Sequence, residues 1–451
     1  MKITRQSFLA GLSATAATGW SRLFAESRPF AFRGLADREA DIWASLTNRF
    51  FDARTEMLYD VMWKLPDGGE SLTAFLPTAD EIARQYPNPC AWGVGLQDCV
   101  FNGSPLLRAA LLAGDRKMAY AAYRGMKRCA EVSGVPGFIA RGVSPSDGKG
   151  FYLNSSRDSF SLFVSGMLAF YRHPFADAQT RAEIAKMLVD VARYAEACVV
   201  PKNDYSLLRA DGKASIVCRM WVPDPNEAPK VDATGWARVG GMMPHESLRL
   251  PMFYAAAHAV SGDARWRELE LRYADDGIRI AEKPIGSNIR GSELGQLQLS
   301  VRLLWECETD AGRKARYASL LDRCADMAEN LVLPRVVQKA AKEGWWRSSP
   351  LDDWRPYVRP DHPRRRVVGG LPYEVVDHPA PTIEEPYVEL AHAVIVQSLA
   401  PGRKISSALA DRFVEVVSQV DFRKVVTANQ VNALLASYVL RGVRDVSGRG
   451  R

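Results

Sequence analysis

The stretch from Phe253 to Trp266, FYAAAHAVSGDARW, reads as two helices meeting at a corner. Apolar residues recur at helical spacing up to Val260 and resume at Trp266. Gly262 supplies the left-handed backbone that ends a helix, and Asp263 has the side chain that caps the next one. Ala113-Gly114-Asp115 repeats the device. A chain that folds back in this way every roughly 40–60 residues is a loose repeat of hairpins, the pattern of a solenoid or a closed toroid.

Working outward, spacings of i, i+3 and i+4 predict helices over Ile42–Met62, Leu106–Leu112, Met118–Ala130, Phe160–Tyr171, Ile184–Val199 and Leu248–Val260. They predict six more over Trp266–Ile280, Leu294–Trp305, Tyr317–Leu333, Val388–Leu399, Ala408–Val420 and Val431–Leu440. Six hairpins closing on themselves, an all-α (α/α)6 barrel, fit this pattern best. Long segments at 137–154, 203–243 and 335–386 interrupt the helices and are expected to carry function or short strands at one mouth. Ser215–Val222 is the candidate strand. Nothing resembles an interdomain linker, so one domain is expected over 36–442, with a disordered tail at 443–451.

With 47% hydrophobic and 25% charged residues, the 451-residue chain has an ordinary globular composition and enough apolar residues for a sizeable core. Its net charge of +7 is spread over the whole length, and the densest basic run, Arg364-Arg365-Arg366, is short. A nucleic-acid protein would show a basic stripe or a recognisable motif, so that class is set aside. The N-terminus, MKITRQSFLAGLSATAATGWSRLFA, has a basic start, a short apolar run and a small residue at position 25, which predicts an export signal over 1–25. Its Thr-Arg-x-x-Phe-Leu element resembles a twin-arginine signal in which Gln6 stands at the second arginine. No other apolar run reaches the ~20 residues of a membrane span. The mature chain is therefore expected in the periplasm or outside the cell, with no membrane partner. The seven cysteines are scattered singly, which argues against zinc and against a dense disulfide framework, although Cys90 and Cys99 could pair. No Gly-rich phosphate loop or Gly-x-Ser-x-Gly elbow is present, and Asp and Glu rarely cluster near His, so neither a cofactor nor a metal is expected.

The segment from Val135 to Pro174 places Arg141, Asn154, Ser155, Ser156, Arg157 and Asp158 in a Gly/Pro-broken loop that leads into an aromatic helix. A few polar groups at the mouth of an apolar helix suit a concave site that orients a polar ligand. The alternative is that Asn154-Ser155-Ser156 only caps the helix. His245 precedes Glu246 directly after the Gly240-Gly241 break, near a helix start, where it is either an acid–base group or a structural histidine.

Together the hairpins, the Gly-Asp corners, the aromatic-rich loops and the export signal resemble the six-hairpin glycosidase superfamily, most nearly bacterial glucuronidases and unsaturated glucuronyl hydrolases. The likeness is sharpest at Asn88–Asp98, Pro136–Pro174 and Pro244–Arg249. It implies a pocket at one end of the barrel and hydrolysis by two carboxyl groups, for which Asp98 and Asp158 are the leading pair and Glu246 the reserve. For a uronic acid it implies guanidinium groups that grip the sugar carboxylate, with Arg141, Arg157, Arg249 and Arg290 as candidates. Trp92, Trp345, Trp346 and Tyr357 are candidates for stacking on sugar faces, or else core residues. The expected activity is release of a terminal uronic acid from a glycan. Two alternatives stay open: a uronate lyase using His245 or Tyr152 as base with Asn154 and Arg157 stabilising the enolate-like charge, and a non-catalytic glycan-binding protein.

Overall fold

The computed structural model describes residues 31–231, 238–358, 365–367, 374–376 and 385–442. The expected export signal at 1–25 and the tail at 443–451 lie outside the described residues. In chain order the helices are α1 (Ala31–Ser45), α2 (Ala79–Ala83), α3 (Cys99–Ala113), α4 (Arg116–Glu131), α5 (Arg157–Arg172), α6 (Ala178–Cys198) and α7 (Arg249–Ser261). They continue with α8 (Ala264–Ala281), α9 (Gly291–Cys307), α10 (Ala311–Met327), α11 (Leu333–Glu343), α12 (Pro386–Ser398), α13 (Ser407–Gln419) and α14 (Val431–Leu440).

Alternate helices close a ring. The α3 helix packs on α5, α5 on α7, α7 on α9, α9 on α12, α12 on α14, and α14 back on α3. Outside them lie α1, α4, α6, α8, α10 and α13, each against its inner neighbours. This is an (α/α)6 barrel. The composition of each helix decides its layer. The inner α12, PYVELAHAVIVQS, is buried along its whole length except at His392. The outer α4 buries only the face formed by Ala119, Ala121, Ala122, Tyr123, Gly125, Met126 and Cys129. A helix that is apolar all round must be enclosed, whereas a one-sided helix can face water.

The two ends of the barrel differ because the two kinds of connection differ. Inner helices pass to outer ones through tight corners, in which Asp115, Asp177, Asp263, Asp310 and Ser406 accept backbone N–H bonds from the first turn of the next helix. Gly114 and Gly262 end α3 and α7 with φ of +70° and +68°. Outer helices return to inner ones through segments 46–98, 132–156, 199–248, 282–290, 344–385 and 420–430. The inner helices therefore run parallel, and all of them start at the mouth that carries these loops. The short antiparallel strand pairs lie there too: Phe51–Asp52 with Met57–Leu58, Trp63–Lys64 with Glu70–Ser71, Lys230–Val231 with Arg238–Gly240, and Arg365–Val367 with Glu374–Val376.

Four expectations need correction. The helix predicted over Ile42–Met62 stops at Ser45, passes through one π-helical turn at Leu46–Phe50 and becomes paired strands, so the apolar residues beyond it are buried by loop packing. Ser215–Val222 holds a 3-10 turn at Ile216–Cys218 and a single bridge between Ser206 and Arg219, without a strand ladder. The third loop begins only after α11, at residue 344. Cys90 and Cys99 are not bridged to each other; Cys90 lies against the Asn154 amide, while Cys99 opens α3.

Candidate active site at the loop mouth

Most of the residues singled out in the sequence meet where the inner helices begin. Asp98 occupies the N-cap position of α3, but its side chain makes no cap bond. Instead its carboxylate meets Arg141 Nη2 at 3.1 Å, and Arg141 Nε donates to the Gln97 carbonyl at 2.7 Å. Arg141 is buried, whereas Asp98 leaves 28% of its side chain accessible. The capping account of Asp98 is thereby removed: its carboxylate is held by Arg141 and reaches the surface of the mouth.

Arg157 and Asp158 open α5, behind the true cap Ser156, whose hydroxyl accepts the Ser159 N–H at 3.1 Å. The neighbouring α7 and the turn before it supply their partners. Asp158 Oδ1 lies 2.7 Å from Arg249 Nη1, and Arg157 Nη1 lies 2.8 Å from Glu246 Oε1. Asp158 keeps 46% of its side chain accessible although protein surrounds it, the setting of a group on the wall of a concavity. That crowding pushes its carboxyl upward, but Arg249, Arg157, Arg290 and Arg141 overcome it and hold Asp158 below the ordinary carboxylate value.

Glu246 and His245 sit in a 3-10 turn just before α7 and are buried, with His245 Nε2 3.9 Å from Glu246 Oε1. Burial lowers the imidazole's proton affinity; Glu246 and Glu293 oppose this, and Arg249 and Arg157 reinforce it. His245 is thus neutral near pH 7. Arg290 Nη2 pairs with Glu293 Oε1 at 2.8 Å at the start of α9. Burial raises Glu293, but Arg290 and His245 bring it below its ordinary value. Gly291, the first residue of α9, lets the mouth close, because a Cβ there would come within 2.5 Å of the Glu389 carbonyl oxygen on α12.

Two further carboxyl groups at the helix starts have the contrary character. Asp60 is 3% exposed; its Oδ1 accepts from Asn102 Nδ2 at 3.1 Å, and its carbonyl accepts the Ala428 N–H at 2.8 Å. Burial and then the Asp98 charge raise it well above the carboxylate range; Arg141 and bonds from the Asp98 N–H and Asn102 offset this only in part. Glu385, the N-cap residue of α12, accepts the Thr427 hydroxyl at 3.0 Å and the Arg347 N–H. Burial pushes it up to about 7 against those bonds.

Asn154, expected to touch a ligand, is fully buried: its amide donates to Cys90 Sγ at 3.0 Å, and its Oδ1 accepts the Ser155 N–H at 3.0 Å. It holds the loop. Tyr152 is likewise committed, its hydroxyl donating to the Tyr86 carbonyl at 2.6 Å. Trp92, Trp345 and Trp346 are half-buried against the core. Tyr357 falls in a 3-10 turn, with its side chain outside what the structure describes. Sequence reading missed Asp60, Asn102, Glu293 and Glu385. Of these, Glu293 carried a signal, since it stands three residues after Arg290 ahead of an apolar run, the spacing of a capping box.

Four side-chain nitrogens at this mouth are buried without a hydrogen-bond partner: Arg157 Nη1, Arg249 Nε, Arg249 Nη1 and His245 Nδ1. Arg157 Nη1 and Arg249 Nη1 are the atoms that face Glu246 and Asp158 at 2.8 and 2.7 Å, which leaves Arg249 Nε and His245 Nδ1 with neither a hydrogen-bond nor an ion-pair partner. Among the described residues, no group of three or more His, Cys, Asp or Glu side chains is placed to hold a metal ion. None of the described helices is long and apolar enough to cross a membrane.

No protein-family model matches the chain, and no curated protein matches it. Among solved structures it is similar to cellobiose 2-epimerase from Spirochaeta thermophila DSM 6192, at 13% identity and a TM-score of 0.43 over 92% of this chain and 98% of that one. It is also similar to an alpha-1,6-mannanase from Salegentibacter sp. HEL1_6, at 10% identity and a TM-score of 0.32 over 65% of this chain and 88% of that one. Likeness at this level bears on neither activity nor substrate.

Proposed function

We propose that this protein is an exported glycoside hydrolase that removes a terminal uronic acid, of the glucuronate type, from an oligo- or polysaccharide. The observation that supports it is the buried guanidinium pair of Arg157 and Arg249 at the accessible Asp158, with Arg249 Nε left without a partner, and the buried Arg141 holding the accessible Asp98. A uronate carboxylate accepts two parallel N–H bonds from such a group, which a neutral sugar hydroxyl does not. Glycoside hydrolysis then needs one carboxyl to give a proton to the leaving oxygen and another to activate water or attack the sugar. Asp158, kept ionised by its four arginines, suits the second role. Asp98, held by Arg141 and accessible at the mouth, is the other carboxyl group of the pair. Glu246, already engaged with Arg157, serves to aim that guanidinium.

His245 supports one further reading. A neutral imidazole with an unpartnered Nδ1 beside the arginines has what a lyase base requires. The two readings share the uronate and differ in the bond broken.

The test compares turnover of an aryl glucuronide with that of the matching aryl glucoside, which replaces the carboxylate by CH2OH. The proposal expects a preference for the glucuronide of about 100-fold or more, from loss of one charge-assisted pair. Equal rates, or preference for the glucoside, would reject the uronate. Binding that survives Asp98→Asn/Asp158→Asn, with no turnover by the parent protein, would identify a glycan-binding protein instead. Export is tested separately, by fractionating cells that express the full chain.

A further inference from the structure

Inner helix α3 starts in an unusual way. Its N-cap residue, Asp98, does not cap. The Arg141 carbonyl accepts the first-turn Val100 N–H instead, at 3.1 Å, while Asp60, from the preceding long loop, receives the Asp98 backbone N–H and the side-chain amide of Asn102. The Asp60 backbone is in turn fixed by the Ala428 N–H, just ahead of inner helix α14. The neighbouring cation, Arg141, spends its hydrogen bonds on Asp98 and Gln97. Asp60 thus has two neutral amide donors, 3% exposure and an Oδ2 atom with no partner.

We propose that Asp60 is a positioning residue for Asp98: it ties down the start of α3 from behind, through the Asp98 N–H and Asn102, and so fixes the place from which the Asp98 carboxylate is presented to the substrate. It does this as an uncharged acid. A buried carboxylate without a paired cation is costly, whereas the protonated form keeps a carbonyl oxygen to accept the two amides. The charged or titratable groups that face it are Asp98 and Arg141 on the mouth loops and the Cys99 thiol on α3. Burial and the Asp98 charge both favour the proton, and Arg141 opposes it. The inference rests on the reading of Asp98 as the catalytic carboxyl.

The experiment compares Asp60→Asn and Asp60→Ala in the full chain. An uncharged acid is replaced by its neutral amide, so Asp60→Asn is expected to keep kcat within about threefold at pH 6 and to lose the alkaline fall in activity that ionisation of Asp60 causes in the parent. Asp60→Ala is expected to lose about 100-fold in kcat with KM nearly unchanged, because the anchor of Asp98 is gone. Two measurements without substrate separate this inference from the proposed activity. In a Glu385→Gln background at neutral pH, the infrared band of protonated carboxyl groups should lose the intensity of one carboxyl when Asp60→Asn is added. Hydrogen exchange at the start of α3 should stay slow in Asp60→Asn and become fast in Asp60→Ala. An infrared band that Asp60→Asn leaves unchanged, or Asp60→Asn behaving like Asp60→Ala in exchange or in kcat, would overturn the inference. A chain that turns over no uronide in its parent form, with both substrate-free results as expected, would reject the assignment of Asp98 and with it this role of Asp60, while the uncharged anchor of α3 would stand.

Discussion

Replacing Arg157 by Met removes the guanidinium from Glu246, which is 3% exposed and 2.8 Å away. Arg157 itself is only 14% exposed, so water screens the pair little. Breaking such a pair from one side leaves the other charge buried, at a cost of about 3–5 kcal/mol, whereas replacing both members by apolar residues of similar volume is close to neutral. Arg157→Met should therefore lower the unfolding free energy by about 3–5 kcal/mol, and Arg157→Met/Glu246→Met should recover most of the loss. A pH arm checks the cause. Without the guanidinium, the buried Glu246 carboxylate takes up a proton more readily in the folded protein than in the unfolded chain, so the deficit should be largest at about pH 8 and shrink towards about pH 5. The assay is urea unfolding followed by circular dichroism, with the slope against urea compared between variants. A single-variant cost below about 1 kcal/mol at pH 8, or a double variant no more stable than the single one, would refute the reasoning.

The same mouth yields three more expectations. Asp98→Asn and Asp158→Asn should each lower kcat on a uronide by about 100-fold or more with the fold retained, read by steady-state kinetics and circular dichroism on the same preparations. Gly291→Ala should destabilise by about 1–3 kcal/mol, since its Cβ would press on the Glu389 carbonyl oxygen at 2.5 Å and neither backbone can yield easily; thermal unfolding unchanged from the parent would contradict this. Glu385 binds its proton more tightly when folded, at about 7 against an ordinary 4.5, so the stability it contributes is complete below pH 4.5 and is lost as pH rises towards 7. Glu385→Gln should flatten that slope in urea unfolding measured across this window, and an unaltered slope would exclude Glu385 as its source.

The barrel was legible because its signals are local. A Gly-Asp corner such as Gly262-Asp263 declares a helix end and a helix start within two residues, and the contrast between an apolar helix like α12 and a one-sided helix like α4 separates the layers. Asp98, Asp158, Glu246 and the arginines were legible as groups at helix starts, since each stands close to an apolar helical run. Their pairing was not. That Arg249 meets Asp158 while Arg157 meets Glu246 depends on how α5 and α7 lie side by side, which neither segment encodes alone. Asp60 shows the other limit. Helical spacing from Ile42 onward assigned it to a helix, whereas the chain leaves the helix at Ser45 and the apolar residues around it are buried by strands and loops that bring it under α3. Periodicity reports which residues are buried, and two different backbones can bury the same set. Asn154 fails for a related reason: an amide in a loop suits a ligand or a neighbouring turn equally well, and only the packed loop shows it against Cys90.

The central claim, hydrolysis of a terminal uronide at Asp98 and Asp158, is met most directly by incubating the purified protein with uronate-capped oligosaccharides in heavy-oxygen water and weighing the products. Heavy oxygen in the released uronic acid is the predicted result. An unsaturated uronate without the label would contradict it, and would move the chemistry to elimination with His245 as the base.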